Sequence, residues 1–167
     1  MSESSQPLIV AVIGGSTATA EQAAAAETVG RKLAQAGAIL ICGGRGGVMA
    51  AACRGAKSAG GLTIGILPGT DAARANPHVE IPIVTGIGEA RNTIIIRTAH
   101  AAVAIGGSYG TLSEIAFCLG FGLPVVGLGT WRVDREGHPP VPIHRATTAE
   151  EAAELALKLA RRGVSHS

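Results

Sequence analysis

Aromatic and charged residues are both scarce in this chain of 167 residues. It contains one Trp, one Tyr and two Phe, and 16% of its residues are charged, against 47% that are hydrophobic. A core must therefore be built from aliphatic side chains, and this composition predicts a globular protein. The formal net charge of +2 is too small to indicate a nucleic-acid-binding surface, so no nucleic-acid partner is expected.

Several motifs that indicate other classes of protein are also missing. No apolar run reaches the roughly 18 to 20 residues that span a bilayer, so we expect no contact with a membrane. The three cysteines, Cys42, Cys53 and Cys118, lack CxxC spacing and the five histidines lack HExxH spacing, so we predict no metal site. Three unpaired cysteines indicate reduced, buried thiols, and the polar start at 1–7 has no signal-peptide pattern. Together these features predict a cytoplasmic location.

The chain is instead rich in short aliphatic runs that alternate with helix-length segments. The runs are continuously apolar, which is typical of parallel strands covered by helices on both faces. We predict strands at 8–13, 38–42, 62–67, 81–84, 101–105 and 124–128, and helices at about 19–36, 47–59, 89–99, 111–121 and 149–162. This alternation predicts an α/β fold with one doubly wound, Rossmann-like parallel sheet flanked by helices.

No linker divides the chain, so we expect one nucleotide-binding domain over 1–167. Its core should lie at about 8–130, with a last helix that opens on a capping box, Thr148-Ala-Glu-Glu151. The segments 68–80 and 129–147 are predicted to be irregular loops.

Three predicted strands end in turns of glycine or small residues. These turns are Gly14-Gly15-Ser16, GGRGG at 43–47 and GGSYGT at 106–111. Ligands of open α/β sheets bind at the carboxyl ends of strands, where glycine admits a ligand and the next helix offers free N–H groups. One such loop is equally well explained as a tight turn, but three at one edge of the sheet predict a site for an anionic phosphate.

Two common nucleotide-binding motifs are absent from these loops. The P-loop pattern does not occur, and GxGxxG fails because Met49 stands where its third glycine is required. We therefore expect neither ATP hydrolysis of the P-loop type nor NAD binding.

Glu114 is the only acidic residue between Glu89 and Asp134, and it follows the third glycine loop. One explanation is a capping box, because Thr111-Leu-Ser-Glu114 has the spacing of a helix start. The other is a catalytic or ligand-contacting carboxylate. Arg91, in the first turn of a predicted helix, is opposed there by the helix dipole and suits a phosphate or carboxylate. We therefore name Arg91 and Glu114 as candidate catalytic residues.

Three motifs resemble the Lonely Guy (LOG) family, which was long labelled as lysine decarboxylases. Its characterised members are phosphoribohydrolases that release cytokinin bases from nucleoside 5′-monophosphates. The motifs are CGGRGGVMAAACRGA at 42–56, ARN at 90–92 and GGSYGTLSE at 106–114. GGLTIGILPG and ANPHVEIPIVTGIGEARN are typical of a sister branch of Rossmann-like proteins that includes a molybdenum cofactor carrier. The resemblance covers about 8–130 and implies a Rossmann-like fold.

The resemblance also implies roles for individual residues. The LOG signature P-G-G-x-G-T-x-x-E falls on 106–114, where its Pro and second Gly are replaced and its last Gly, Thr and Glu are kept. The companion motif M-H-x-R-K falls on 88–92, where only the Arg is kept. The catalytic Arg and Glu of the family therefore correspond to Arg91 and Glu114. LOG-like proteins pair through helices beside the site, so a homodimer or higher homo-oligomer is expected.

Two functions remain open after this reading, one of an enzyme and one of a binding protein. The first is hydrolysis of the N-glycosidic bond of a nucleoside 5′-monophosphate to base and ribose 5-phosphate. Glu114 would stabilise the oxocarbenium-like ribose or activate water, and Arg91 would orient it. The second is a non-catalytic carrier of a phosphorylated ligand such as the molybdenum cofactor.

No resident cofactor is predicted for either function, and the ligand is a phosphorylated small molecule in both. Amides of the loop at 107–111 are expected to hold its phosphate. The predicted contact residues are Gly15, Ser16, Gly43, Gly44, Gly46, Met49, Asn92, Gly107, Ser108, Tyr109, Gly110 and Thr111.

Overall fold

The structure, a computed structural model, describes residues 6–164. Residues 1–5, on which the prediction about the start of the chain mainly rests, and 165–167 lie outside the described residues. The strands are β1 (Ile9–Gly14), β2 (Ile39–Cys42), β3 (Thr63–Leu67), β4 (Ile81–Val84), β5 (Ala101–Ile105), β6 (Val125–Leu128) and β7 (Ile143–Ala146). The α-helices are α1 (Ala20–Gln35), α2 (Val48–Ser58), α3 (Asn92–Thr98), α4 (Tyr109–Gly120) and α5 (Ala149–Val164), and short 3-10 helices cover Ala72–Arg74 and Gly88–Arg91.

The seven strands form one sheet in the order β4-β3-β2-β1-β5-β6-β7. Every neighbouring pair is parallel, with β1 lying between β2 and β5. The strand order therefore runs outward in both directions from the β1–β5 pair. The predicted doubly wound α/β sheet is confirmed.

Helices cover both faces of this sheet, as the continuously apolar strands predict. On one face, Val10 and Val12 of β1 pack in a cluster with buried residues of α1, α2 and α5. On the other face, Ala11 and Ile13 pack with buried residues of α3 and α4. Successive side chains of a strand point to opposite faces, so each apolar strand contributes to both halves of an aliphatic core.

The helices α1 and α2 pack closely because each places a glycine in their contact. A Cβ at Gly30 of α1 would lie 2.0 Å from the carbonyl oxygen of Ala52, and one at Gly55 of α2 would lie 1.9 Å from that of Glu27. No side chain fits in either place without separating the two helices. These glycines therefore fix how near the two helices lie to each other.

The structure differs from the sequence prediction at the last strand, because β7 lies inside the segment 129–147 that we predicted to be irregular. Ile143 and Ala146 are buried there while His144 and Arg145 are exposed. Such a strand at the edge of the sheet has no continuous apolar run, which is the signal that located the other six.

One of the two hydrogen bonds of the capping box predicted at the start of α5 is present. The N–H of Glu151 donates to Thr148 Oγ1 at 3.1 Å, and the Glu151 carboxylate accepts bonds from the N–H and hydroxyl of Thr147, each at 2.8 Å. Within 6–164 no helix is long and apolar enough to cross a membrane. The same residues contain no group of three or more His, Cys, Asp or Glu side chains placed to hold a metal ion.

Candidate functional site

A cleft of about 240 Å³ lies at the carboxyl ends of β1 and β5 and opens to solvent. These two strands lead into α1 and α4 on opposite faces of the sheet, which leaves a crevice between their loops. The residues that line it are Gly14, Gly15, Ser16, Arg45, Met49, Glu89, Arg91, Asn92, Ser108, Gly110, Thr111 and Glu114. The three predicted glycine loops therefore meet at one place, because their strands are parallel and adjacent or nearly so.

The third glycine loop turns the chain from β5 into α4. Gly107 has a φ of +98°, and a Cβ there would lie 2.2 Å from Thr111 Oγ1, so the turn requires glycine. The helix begins at Tyr109 with Ser108 as an extended N-cap residue that makes no side-chain capping bond. The first N–H groups of α4 therefore remain available at the cleft, which Ser108, Gly110 and Thr111 line.

The predicted capping box from Thr111 to Glu114 is wrong. The helix begins two residues before Thr111, so Glu114 lies in its second turn and does not reach the N-cap residue. Thr111 is 2% exposed under the glycine loop. Glu114 forms no hydrogen bond or ion pair with any residue in the described range 6–164. Its carboxylate is left without a structural role in the helix.

Burial raises the pKa of Glu114 to about 7. The positive charge of Arg91 opposes this shift and the carboxylate of Glu89 adds to it, but the removal of water from Glu114 is the largest effect. A carboxyl group that titrates near neutrality can both give and take a proton under physiological conditions. Glu114 is thus suited to proton transfer or to an uncharged contact with a ligand.

Arg91 holds three segments of the chain together beneath the cleft. Its side chain is 6% exposed, and Nη1 donates to the carbonyl oxygen of Gly43 at 2.7 Å and to that of Ile66. Nη2 lies 3.9 Å from the carboxylate of Glu89. Burial lowers the pKa of Arg91, although a guanidinium stays charged at neutral pH. Nη1 is therefore bound by the backbone and Nη2 lies near Glu89, while Nε has no hydrogen-bond partner among the described residues.

Two buried polar atoms next to the cleft have no partner among the described residues. They are Arg91 Nε and Asn92 Oδ1, and Asn92 is 8% exposed. Buried donors and acceptors are almost always hydrogen-bonded, because leaving one unpaired costs about 1 to 3 kcal/mol. A donor and an acceptor that are adjacent in the chain and line the same cleft are best explained as contacts for a polar ligand.

The second glycine loop lies directly on the first. Gly47 has a φ of +61°, a Cβ there would lie 2.3 Å from the carbonyl oxygen of Gly15, and the N–H of Val48 donates to that oxygen at 3.0 Å. This contact presents Arg45, which is exposed, to the cleft. Arg45 supplies a positive charge beside the uncapped start of α4, and both features favour an anion.

Five of the predicted contact residues do not line the cleft: Gly43, Gly44, Gly46, Gly107 and Tyr109. The first three shape the second loop. The carbonyl of Gly43 accepts from Arg91, the N–H of Gly44 donates to the sulfur of Cys42 at 3.3 Å, and a Cβ at Gly46 would lie 3.0 Å from a backbone oxygen of the first loop. Tyr109 is 80% exposed and follows Ser108, which lines the cleft.

Three residues that line the cleft were not among the predicted contacts: Gly14, Arg45 and Glu89. The signal for Arg45 was its place among four glycines in GGRGG. Glu89 occupies the position of the His in the family motif M-H-x-R-K, so the motif could have indicated it.

The comparison with protein families matches the SLOG cluster4 family over residues 7–163. The chain belongs to the SLOG cluster4 family. The match spans the sheet from β1 to β7 and the helix α5, so it includes every element that contributes to the cleft.

Solved structures similar to this SLOG cluster4 protein include two that are described by their ligand. The molybdenum cofactor binding protein of Rippkaea orientalis is 34% identical with a TM-score of 0.83, and the match covers 92% of this chain and 98% of that one. The molybdenum cofactor carrier protein of Chlamydomonas reinhardtii is 36% identical with a TM-score of 0.82, and coverage is 93% and 99%. The resemblance to the branch that contains molybdenum cofactor carriers is thereby confirmed.

Two further matches add sequence and fold relationships. An uncharacterized protein of Archaeoglobus fulgidus is 44% identical over 119 residues, which are 71% of this chain and 78% of that one. DNA processing protein A of Helicobacter pylori, described as binding single-stranded DNA, is 20% identical with a TM-score of 0.68 over 91% of this chain and 81% of that one. At that identity the likeness concerns the fold alone.

Proposed function

We propose that this SLOG cluster4 protein binds a phosphorylated small molecule in the cleft and serves as a carrier of the molybdenum cofactor. The observation that carries the proposal is the pair of buried atoms without partners, Arg91 Nε and Asn92 Oδ1, beside an uncapped helix start. The phosphate of the ligand lies against the first N–H groups of α4, and Arg45 approaches it from the second loop. Two relatives described as binding or carrying the molybdenum cofactor support this choice of ligand.

The same geometry favours binding over turnover. The cleft contains two carboxylates, but Glu89 is largely exposed and lies near Arg91, which leaves Glu114 as the one group suited to act on a bound molecule. Nη1 of Arg91 is bound to backbone carbonyls and Nη2 lies near Glu89, and within residues 6–164 Arg91 forms no ion pair with Glu114 that would orient it for catalysis. A carrier needs no more than the available contacts.

The test is retention of the cofactor by the purified protein. Molybdenum cofactor released from a denatured molybdoenzyme is mixed with the protein under exclusion of oxygen, and the protein fraction from gel filtration is assayed for molybdenum and for pterin. We expect stoichiometric retention, and a loss of about tenfold or more in affinity for Arg45→Gln, because a charge-assisted bond is worth roughly 1.5 to 3 kcal/mol.

The matched control is Arg97→Gln. Arg97 is also an exposed arginine, but it lies on α3 with its guanidinium 4.2 Å from the ring centre of Phe121, outside the cleft. The Arg97→Gln variant should retain the cofactor as well as the unmodified protein does. Absence of molybdenum and pterin from the protein fraction, or equal losses in both variants, would overturn the carrier proposal.

Hydrolysis of nucleoside 5′-monophosphates is the second candidate function, and the pKa of about 7 for Glu114 favours it. In that reaction water attacks the anomeric carbon and gives a proton to Glu114, while the C–N bond breaks and the leaving base takes up a proton from solvent. Incubation with AMP, GMP, IMP and cytokinin riboside monophosphates, with chromatography of the free base, tests it. If the unmodified protein releases free base and Glu114→Gln does not, the protein is a phosphoribohydrolase.

We also propose that two copies of the chain associate through α3 and α4. Ile94 on α3 and Phe117 and Phe121 on α4 are large apolar side chains exposed at 38%, 41% and 42%. An exposed apolar patch of this kind is typical of an interface between proteins. Light scattering after gel filtration should give the mass of a dimer or larger assembly, and Phe117→Ser should lower it. A monomer before substitution would contradict the proposal.

A further inference from the structure

The cleft is smaller than most sites that bind small molecules. Such sites usually measure about 300 to 1,000 Å³, whereas this one measures about 240 Å³. With its phosphate at the start of α4, a ligand that carries a fused heterocyclic ring is expected to extend that ring towards the surface beside the cleft. The surface next to the mouth of the cleft therefore decides how that ring is bound.

An aromatic pair lies beside the third glycine loop, formed by the only Tyr and the only Trp of the chain. The ring centres of Tyr109 and Trp131 are 5.6 Å apart and their planes are inclined by 31°. Tyr109 is 80% exposed and lies between Ser108 and Gly110, which both line the cleft. Its ring is thus next to the N–H groups that face the phosphate.

Two hydrogen bonds hold Trp131 in place, and a third attaches its neighbour Thr130 to the third glycine loop. Its Nε1 donates to the carbonyl oxygen of Ser108 at 3.0 Å, and its own carbonyl accepts from Arg145 at 2.6 Å. The neighbouring Thr130 hydroxyl donates to the carbonyl oxygen of Gly106 at 2.6 Å. The loop after β6 is therefore attached to the loop that faces the ligand, and the pair is arranged before any ligand binds.

We propose that Tyr109 and Trp131 form a stacking surface for the flat heterocycle of the ligand, a purine or a pterin. The proposal rests on the proposed function, because it assumes a phosphate at the start of α4. Stacking of a base on an aromatic side chain is worth about 1 to 3 kcal/mol and tolerates different ring systems. This explains why so exposed an aromatic residue belongs to the glycine loop of a chain with so few aromatic residues.

A second hollow beside the cleft is the rival place for the ring. It measures about 420 Å³, shares Arg45 with the cleft, and is lined further by Thr70, Asp71 and Arg74. It contains charged and hydroxyl groups and backbone, but no aromatic side chain. The variant Arg74→Gln tests this rival, since Arg74 lines the second hollow and does not line the cleft.

Trp131 itself reports the outcome, because excitation at its absorption edge gives emission from no other Trp. AMP provides a phosphate with a ring, and ribose 5-phosphate provides the phosphate without one. We expect AMP to quench the Trp131 emission and ribose 5-phosphate to bind, as measured by calorimetry, without quenching. Tyr109→Ala should lower the affinity for AMP by about tenfold or more and leave the affinity for ribose 5-phosphate unchanged. Tyr109→Phe should restore the affinity for AMP.

The molybdenum cofactor retention assay is the second arm of the test, and Tyr109→Ala should fail to retain the pterin in it.

If AMP or the cofactor binds equally well to Tyr109→Ala and the emission stays constant, the stacking surface is refuted while the proposed function stands. If only Arg74→Gln loses affinity for AMP or the cofactor, the ring lies in the second hollow. That result would also refute the stacking surface. A change in the assembled mass of Tyr109→Ala with unchanged affinity would identify the pair as an interface between copies. If the unmodified protein binds none of the three probes, both proposals fall.

Discussion

Replacing Glu114 by Gln should make the protein more stable at neutral pH. Gln keeps the size of the side chain and resembles the protonated acid, but it cannot ionise. Because burial raises the pKa of Glu114 from 4.5 to about 7, the folded protein holds this proton more tightly than the unfolded chain does. The unfolded chain therefore loses its proton first as the pH rises. Folding stability falls between these two pKa values and becomes constant above the higher one.

The size of the effect follows from the difference between the two pKa values. Each tenfold change in proton affinity corresponds to about 1.4 kcal/mol, so ionising Glu114 costs up to about 3 kcal/mol of the free energy of unfolding at alkaline pH. Roughly 2.5 kcal/mol of this is lost between about pH 5 and pH 8. Since Glu114 has no hydrogen bond or ion pair in the described range 6–164, no structural contact is lost with the substitution.

The assay is urea denaturation of both proteins across this pH range. The free energy of unfolding of Glu114→Gln, minus that of the unmodified protein, should rise with pH by about 2 to 3 kcal/mol. Parallel pH profiles would show that Glu114 is solvated and would refute the argument from burial. A variant that is less stable at alkaline pH would show that attraction to Arg91 exceeds the cost of burial.

Two other substitutions and one chemical probe test the packing. Gly55→Ala should lower the free energy of unfolding by about 2 kcal/mol or more, because its Cβ would lie 1.9 Å from a backbone oxygen of α1. Gly120→Ala has no heavy atom within 4 Å of the new Cβ and should be neutral or slightly stabilising in the same urea titration, so equal losses would contradict the packing argument. Burial raises the pKa of Cys118 to about 12, and the hydrogen bond with Cys53, followed by burial, raises the pKa of Cys42 well above its ordinary value. A disulfide reagent should therefore label these thiols only after denaturation, and rapid labelling of the folded protein would show local opening.

The sheet could be predicted because buried parallel strands have a direct signature in the sequence. Runs such as Ala101–Ile105 are apolar at every position, and glycine or small residues end them where the chain turns into a helix. The strand β7 lacks that signature, because it lies at the edge and buries only Ile143 and Ala146. A pattern of burial at two positions out of four is too short to distinguish from a loop.

The site could be predicted as a set of loops but not as a set of contacts. Parallel strands carry their loops to one edge, so placing Gly15, Ser16, Ser108 and Thr111 near one another followed from strand direction alone. Which residues face the cleft depends on where α4 begins, and the TxxE pattern indicated an N-cap at Thr111, three residues after the observed N-cap, Ser108. The turn at 106–108, with two glycines at positive φ, lets the helix begin earlier.

The sequence by itself determined the class of the fold, the edge of the sheet at which the cleft lies and the two charged residues of interest, because periodicity, glycine and charge are local properties of the chain. Only the tertiary structure decided what those residues do. Arg91 donates to carbonyls of Gly43 and Ile66, which are 48 and 25 positions away, and Glu114 is desolvated by neighbours that the fold brings to it. Hydrogen-bond partners and burial depend on contacts between distant segments, and no local pattern records them.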